Sequence, residues 1–221
     1  MLWSMQLNIS SFKPTAGINW PAVIEPGLAF SMIVLYIWWL RFHYPYSWTA
    51  ILALLIASHL YKREGFRKLG FGGNMWPGSA TFWIALWLVA MGILGFGLVF
   101  HSFRQVSWQG ACLSLLLYCT WGLFQQYVLN AYFVNRFSRL LGDSTRGVPV
   151  LAGLFFSLAH LPNWFLMMVT LPGGYTCAKL YLQHRNLYFL GMAHGVIGFL
   201  IYLVVPDSIS HHLYVGPKWF G

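Results

Sequence analysis

The chain has 221 residues, of which 58% are hydrophobic and only 8% are charged. Its 12 tryptophans and a mean hydropathy of +0.62 exclude an ordinary soluble domain and indicate a polytopic membrane protein. The formal charge of +9 would favour nucleic-acid binding in a soluble protein, but here Lys and Arg fall in short segments between apolar runs, where they set membrane orientation. We therefore expect the lipid bilayer, and no nucleic acid, as a partner.

The N-terminal segment, residues 1–21, lacks a long apolar run and is predicted to lie at the membrane interface. No signal peptide is expected, because the first long apolar run lacks a basic leader and a small-residue cleavage site. Seven apolar segments follow, each near the roughly 20 residues that a spanning helix needs or somewhat shorter; they cover about 22–40, 47–61, 79–100, 110–134, 147–161, 163–181 and 187–205. We predict a single all-α transmembrane domain over residues 22–205, a polytopic helical bundle of about seven spans, followed by a C-terminal tail at 206–221.

The basic residues predict the orientation of these spans. If the N-terminus is cytoplasmic, three of them fall on the outer side: Arg41, Arg104 and Lys218. Ten fall on the cytoplasmic side: Lys13, Lys62, Arg63, Arg67, Lys68, Arg136, Arg139, Arg146, Lys179 and Arg185. Because cytoplasmic loops are enriched in Lys and Arg, this difference favours a cytoplasmic N-terminus, in what we expect to be a bacterial inner (plasma) membrane.

The fourth span carries an unusual polar cluster, Gln125, Gln126 and Asn130, inside an otherwise apolar helix. Polar side chains within a bilayer carry a desolvation cost and usually have a partner. Residues four apart share a helix face, so Gln126 and Asn130 point the same way and Gln125 lies beside them. We expect their partners on other helices.

Two histidines are the best candidates for these partners. His160 lies near the end of the fifth span and His194 lies in the seventh, and the distances of both from the basic anchors place them near the depth of Gln126. Five other histidines, which lie at span ends or in the tail, are predicted to be interfacial or solvated: His43, His101, His184, His211 and His212. Glycines near His194 permit either close helix packing or a substrate groove: Gly191, Gly195 and Gly198.

These stretches resemble the CPBP superfamily, which includes CAAX prenyl protease type 2, bacteriocin-processing enzymes and Abi-like relatives of intramembrane glutamic proteases. The family pattern is Glu-Glu-x-x-x-Arg, then Phe-x-x-x-His, then His-x-x-x-Asn or a small residue. The second motif matches as Phe156-x-x-x-His160, and the third as His194 with Gly198 in the place of Asn. The first reads Gln125-Gln126-x-x-x-Asn130. The resemblance implies a CPBP-type core over about residues 110–200.

The resemblance also implies an intramembrane hydrolase or peptidase that acts on a prenylated, acylated or membrane-peptide substrate. In the family a Glu activates water and histidines stabilise the oxyanion, but a glutamine amide cannot serve as that base. Three hypotheses follow. The first is an enzyme that uses His160 or His194 as its base, which includes a non-proteolytic enzyme acting on an isoprenoid or lipid. The second is an inactive pseudoprotease that serves as a scaffold or lipid-binding protein, and the third is a metal site on both histidines with Gln125 or Asn163 as a weak ligand. Two histidines without a carboxylate are an incomplete zinc or iron set, so we predict no metal and no cofactor.

The simplest alternative is that each polar residue only bonds a neighbouring helix. Their coincidence at family positions favours a shared polar cavity instead. We predict His160, His194, Gln125 and Gln126 as catalytic residues, and Asn130, Asn163, Phe156 and Gly198 as substrate-binding residues. Three cysteines within the spans are predicted to be apolar filler rather than a disulfide or metal set: Cys112, Cys119 and Cys177.

Overall fold

A computed structural model describes residues 20–72, 80–142, 144 and 146–221. Seven main helices account for most of them: α1 (Trp20–His43), α2 (Trp48–Tyr61), α3 (Ala80–Phe100), α4 (Trp108–Leu141), α5 (Gly147–Leu158), α6 (Trp164–His184) and α7 (Leu187–Val204). The tail adds three short turns of helix, and no strand occurs among the described residues. The predicted all-helical bundle is confirmed. Residues 1–19 of the predicted interfacial segment lie outside the described residues.

Each apolar segment predicted from the sequence coincides with one of these helices. Four are long and apolar enough to cross a membrane by length and composition: α1, the Phe82–Phe100 part of α3, α4 and α7. The shortest of the seven, α5 and α2, have 12 and 14 residues, while α6 has 21 residues but a more polar sequence. The chain is an integral membrane protein with a helical core.

Consecutive helices run antiparallel, so the bundle has two distinct ends. At one, the tail folds back on the bundle: Gly216 N donates to Leu161 O, and the Arg104 guanidinium pairs with the Asp207 carboxylate. We call this the tail end. At the other, Leu187 N donates to Gly70 O at the start of α7. We call this the Arg136 end, after the residue that organises it.

Glycines bring α4 and α7 into backbone contact. A Cβ atom on Gly191 would lie 2.6 Å from Leu123 Cα, and one on Gly122 would lie 2.6 Å from Gly191 O. One turn further along α7, a Cβ on Gly195 would collide with the backbone at Cys119. Small residues permit this approach, which dispersion between two close backbones then stabilises. Gly191 and Gly195 therefore serve close helix packing, which was one of the two roles considered for them. The same contact determines where Gln126 and His194 face each other.

A buried ionic cluster joins α1, α2 and α4 at the Arg136 end. Arg136 donates to Glu25 Oε1 at 2.7 Å, to Glu64 Oε2 at 2.8 Å and to Ser58 Oγ at 2.8 Å. His59 Nδ1 lies 2.7 Å from Glu64 Oε2. Burial alone would raise the pKa of Glu64, but hydrogen bonds from His59 and Arg136 outweigh it and lower that pKa to about 2. Glu25 is thus an ion-pair partner of both Arg136 and Lys62.

Candidate functional site

A partly open cavity of about 1540 Å³ lies between all seven helices and the tail. Its walls are mainly aliphatic and aromatic, with side chains such as Phe30, Leu55, Phe82, Leu129, Phe155 and Ile197. The volume exceeds the upper end of typical small-ligand pockets, roughly 1,000 Å³, and therefore suits a long apolar molecule. Polar residues are few, and most of those predicted from the sequence lie together on its wall.

Gln126 and His194 are joined directly across the α4–α7 contact. The Gln126 amide nitrogen lies 2.8 Å from His194 Nδ1. Gln126 is fully buried, and its Oε1 accepts a hydrogen bond of 2.5 Å from Asn130 Nδ2, four residues further along α4. Asn130 Oδ1 is buried without a partner among the described residues. Gln126 and Asn130 therefore share a helix face, as predicted. Their amides form a hydrogen-bonded chain that ends at the imidazole of His194.

Asn130 lies in a π-helical stretch of α4, Tyr127–Val134, that begins directly after Gln126. Wide turns of this kind are rare and occur frequently at functional sites. All residues of the stretch from Leu129 to Val134 are buried. The irregular turn thus lies between the polar wall of the cavity and the ionic cluster at Arg136.

His160 lies just beyond the end of α5 and also lines the cavity. Its Nδ1 is 2.6 Å from the carbonyl oxygen of Phe156. The Phe156 ring meets both imidazoles edge to face, with ring centroids 4.9 Å from His160 and 5.7 Å from His194. Phe156 thus packs between the two histidines and also lines the cavity.

The hydrogen-bond partners give the two imidazoles different tautomers. A carbonyl oxygen can only accept, so His160 Nδ1 carries the proton and Nε2 keeps its lone pair. With the amides assigned so that Asn130 donates to Gln126 Oε1, the Gln126 nitrogen donates to His194 Nδ1, and the His194 proton is on Nε2. One cavity histidine is thus a base at Nε2, and the other is a donor at Nε2.

The other predicted site residues divide into two groups. Gln125 and Gly198 line the cavity, and Gln125 makes no hydrogen bond within the described part of the chain. A Cβ on Gly198 would lie 3.1 Å from Tyr118 Cδ1, so the Tyr118 ring lies against the position at which the family motif has Asn or a small residue. Asn130 and Asn163 are fully buried and do not line the cavity.

Asn163 has a structural role at the tail end. Its Oδ1 caps α6 by accepting from Leu166 N, and its Nδ2 donates to the carbonyl oxygens of Ser210 and Tyr214, at 2.9 and 3.0 Å. Every hydrogen-bonding atom of this side chain is thus engaged with backbone. Asn163 holds the tail across the end of the bundle, where Leu213 and Val215 complete the cavity wall.

Sequence reasoning missed several polar residues of the cavity, among them Arg41, His184 and His212. We expected both histidines to be interfacial or solvated, because His184 ends a span and His212 lies in the tail. His184 does end its helix and His212 does lie in the tail, but each side chain also lines the cavity. Their contribution depends on how the tail and α6 fold over the bundle, which no local pattern reports.

Metal-ligating residues are sparse around this site. Within the ranges 20–72, 80–142 and 146–221, no group of three or more His, Cys, Asp or Glu side chains could hold a metal ion. Asn163, considered as a weak ligand beside the histidines, is bound to the tail. All three cysteines are free thiols.

Comparison with known families supports the assignment of the core. Residues 107–200 match the family model of Type II CAAX prenyl endopeptidase Rce1-like proteins. This segment contains α4 to α6 and most of α7, and with them Gln126, His160 and His194. The resemblance inferred from the three motifs is confirmed over these residues, which are similar to proteins of the CAAX-protease type. Neither the curated proteins nor the solved structures gave a match.

Proposed function

We propose that the protein is an intramembrane hydrolase that acts on a carbonyl bond of an apolar substrate. The observation that carries this proposal is the pair of imidazoles on one apolar cavity, with His160 available as a base and His194 as a hydrogen-bond donor. Hydrolysis of a carbonyl bond requires a base that activates water and a hydrogen-bond donor that stabilises the carbonyl oxygen.

In the proposed reaction, His160 Nε2 takes a proton from water as the water oxygen bonds to the carbonyl carbon. The carbonyl oxygen becomes an oxyanion, and His194 Nε2–H donates to it. When the tetrahedral intermediate collapses, the bond to the leaving group breaks and His160 returns the proton to that group. Gln126 acts through His194, because its amide holds Nδ1 as an acceptor and so keeps the proton on Nε2.

The apolar walls indicate the class of substrate. A cavity of about 1540 Å³ lined by aromatic and aliphatic side chains favours a prenylated, acylated or membrane-peptide substrate, held by its hydrocarbon part. The matched family, named for a prenyl endopeptidase activity, agrees with a prenyl group. Burial of the chain would place the reacting carbonyl beside the two histidines.

A second candidate reaction is hydrolysis of a lipid or isoprenoid ester rather than a peptide. No carboxylate is present among the described cavity residues, and both acids of the family motif are replaced by glutamine here. A neutral imidazole is a sufficient base for an ester or thioester, whose leaving group departs more readily than an amine. The non-proteolytic reaction is therefore compatible with the same residues.

The orientation proposed for the enzyme places the Arg136 end in the cytoplasm of a bacterial cell. Nine of the described basic residues lie near that end of the helices, and three lie near the tail end: Arg41, Arg104 and Lys218. Reporter fusions at loop positions of both ends test this arrangement. A tail-end reporter that is active only in the cytoplasm would contradict it.

The function is tested with purified protein in proteoliposomes and a panel of four substrates: a prenylated peptide, an S-acylated peptide, an unmodified membrane peptide and a lipid ester. We expect cleavage of at least one substrate, and a loss of roughly 10²- to 10⁴-fold in kcat for His160→Ala and for His194→Ala. The control is His43→Ala, because His43 is exposed and does not line the cavity. Equal activity of all four proteins would contradict the proposal, and no cleavage by any of them would favour an inactive scaffold.

A further inference from the structure

The cavity has a second polar region at the tail end, about the side chain of Arg41. Arg41 lies near the end of α1 and lines the cavity together with Tyr36, Trp48 and Val215. Its Nη2 donates to the Val215 carbonyl at 2.6 Å, and its guanidinium lies over the Phe42 ring at 4.8 Å. Nε is buried and has no hydrogen-bond partner within the described part of the chain.

The partly buried Arg41 also has no carboxylate partner within 4 Å among the described residues, whereas two other arginines of the bundle do. Arg136 pairs with Glu25 and Glu64, and Arg104 pairs with Asp207. An arginine within a membrane protein is costly unless an anion or water compensates its charge. An anionic ligand would therefore stabilise the unpaired charge of Arg41.

An apolar stretch of the cavity wall runs along α1 from Arg41 towards the Arg136 end. Phe30 and Arg41 both line the cavity and are eleven residues apart, which corresponds to about 16 Å along a helix. The wall between them is formed by apolar side chains, among them Ile33 and Ile37. The cavity thus offers a long apolar passage with a cation at one end.

We propose that Arg41 binds the anionic headgroup of an amphiphile, a phosphate or carboxylate, whose hydrocarbon chain lies in the apolar part of the cavity. The planar guanidinium fork matches either anion, because both present two oxygens at the right spacing. This inference rests on the proposed function in one respect, namely that the cavity is the substrate site. It adds that the substrate or a product of the reaction carries a negative charge at the end directed toward the tail.

Binding of two matched pairs of probes tests the inference. Farnesyl phosphate is compared with farnesol, and palmitate with hexadecanol, by native mass spectrometry of the full-length protein in nanodiscs. We expect the wild type to prefer an anion over its neutral counterpart by roughly 10- to 100-fold, as for hydrogen bonds to charged groups. The phosphate pair and the carboxylate pair separate the two headgroups.

Three variants show whether Arg41 causes that preference. Arg41→Gln is expected to abolish it, Arg41→Lys to retain part of it, and Lys218→Gln to leave it unchanged, because Lys218 is an exposed cation at the same end. Melting of each variant in detergent checks that it is folded, and Arg41→Lys retains the charge if Arg41→Gln does not fold.

The outcomes separate this inference from the proposed function. Equal binding of anionic and neutral probes by the wild type, or a preference that Arg41→Gln and Arg41→Lys keep in full, would overturn the headgroup site and leave the hydrolase proposal standing. No binding of any probe would count against both, because the cavity would then not hold an apolar chain.

Discussion

The amide nitrogen of Gln126 lies 2.8 Å from Nδ1 of His194, across the closest contact between α4 and α7. By the motif resemblance, Gln126 stands where the family pattern has a glutamate. An amide cannot abstract a proton from water, but it can donate to an imidazole and so select its tautomer. We therefore propose that Gln126 positions His194 instead of acting as a base.

Replacing Gln126 with Leu tests this positioning role. We expect kcat to fall by roughly 10- to 100-fold with little change in KM, because His194 would lose its fixed tautomer while the apolar walls remain. Gln125→Leu is the matched control, since Gln125 is adjacent, lines the cavity and makes no hydrogen bond among the described residues. Steady-state kinetics on a substrate identified from the panel measure both. Equal losses in the two variants would contradict the role of Gln126.

The glycine contact between α4 and α7 is expected to be intolerant of a single methyl group. Gly195→Ala would place its Cβ against the Cys119 backbone, so we expect a loss of about 1–3 kcal/mol in unfolding free energy. Gly92→Ala in α3 is the control, because nothing lies within 4 Å of a Cβ there. Denaturant titration in mixed micelles measures both. A Gly195→Ala protein as stable as Gly92→Ala would show that the helices are further apart.

The ionic cluster at Arg136 predicts a dependence of stability on acid pH. The pKa of Glu64 is lowered in the folded protein to about 2 from an ordinary 4.5, so its stabilising effect is fully present above pH 4.5 and is lost as pH falls towards 2. Glu64→Gln is expected to weaken this dependence and to cost about 3–5 kcal/mol at neutral pH, because Arg136 and Arg139 lose a partner. Melting temperatures between pH 3 and pH 7 measure both effects.

The comparison needs a carboxylate outside the cluster. Asp207→Asn removes the partner of Arg104 at the tail end, where the side chains are partly exposed. We expect it to cost less at neutral pH than Glu64→Gln, because solvent screens a partly exposed pair. If Glu64→Gln melts at the wild-type temperature at pH 7, the buried cluster does not stabilise the bundle.

Asn163 is predicted to hold the tail rather than a substrate. Asn163→Ala removes two hydrogen bonds to the tail backbone, so we expect faster hydrogen exchange over residues 206–221. Asn186→Ala is the matched control, because Asn186 caps α7 through Phe189 N in the same way that Asn163 caps α6. Mass spectrometry of exchanged peptides compares the two. Unchanged exchange in the tail of Asn163→Ala would contradict the tether.

Much of the fold could be read from the sequence. Apolar runs located all seven helices, because each run must satisfy its backbone within a bilayer and a helix is the local way to do so. Spacing alone also predicted that Gln126 and Asn130 share a face, and they are hydrogen bonded. Depth in the membrane, judged from the distance to the basic anchors, predicted His160 and His194 as candidate partners of Gln126.

The rest depended on contacts between distant segments. Asn163 follows His160 closely in sequence and looked like a site residue, but the returning tail takes all of its hydrogen bonds. Arg41 lies far from the family motifs, and only the packing of α1 against the bundle brings it to the cavity. Such placements arise from tertiary structure and leave no periodic signal in the sequence.

The central claim is that His160 and His194 act together on a substrate in the cavity. Its most direct test compares host membranes that contain the wild type with membranes that contain a folded His160→Ala, His194→Ala double variant at matched expression, with lipids and membrane-protein termini profiled in the same samples. We predict a lipid fragment or a new peptide terminus that occurs only with the wild type. Identical profiles from the two membranes would contradict catalysis and favour a protein that binds an apolar ligand without reacting.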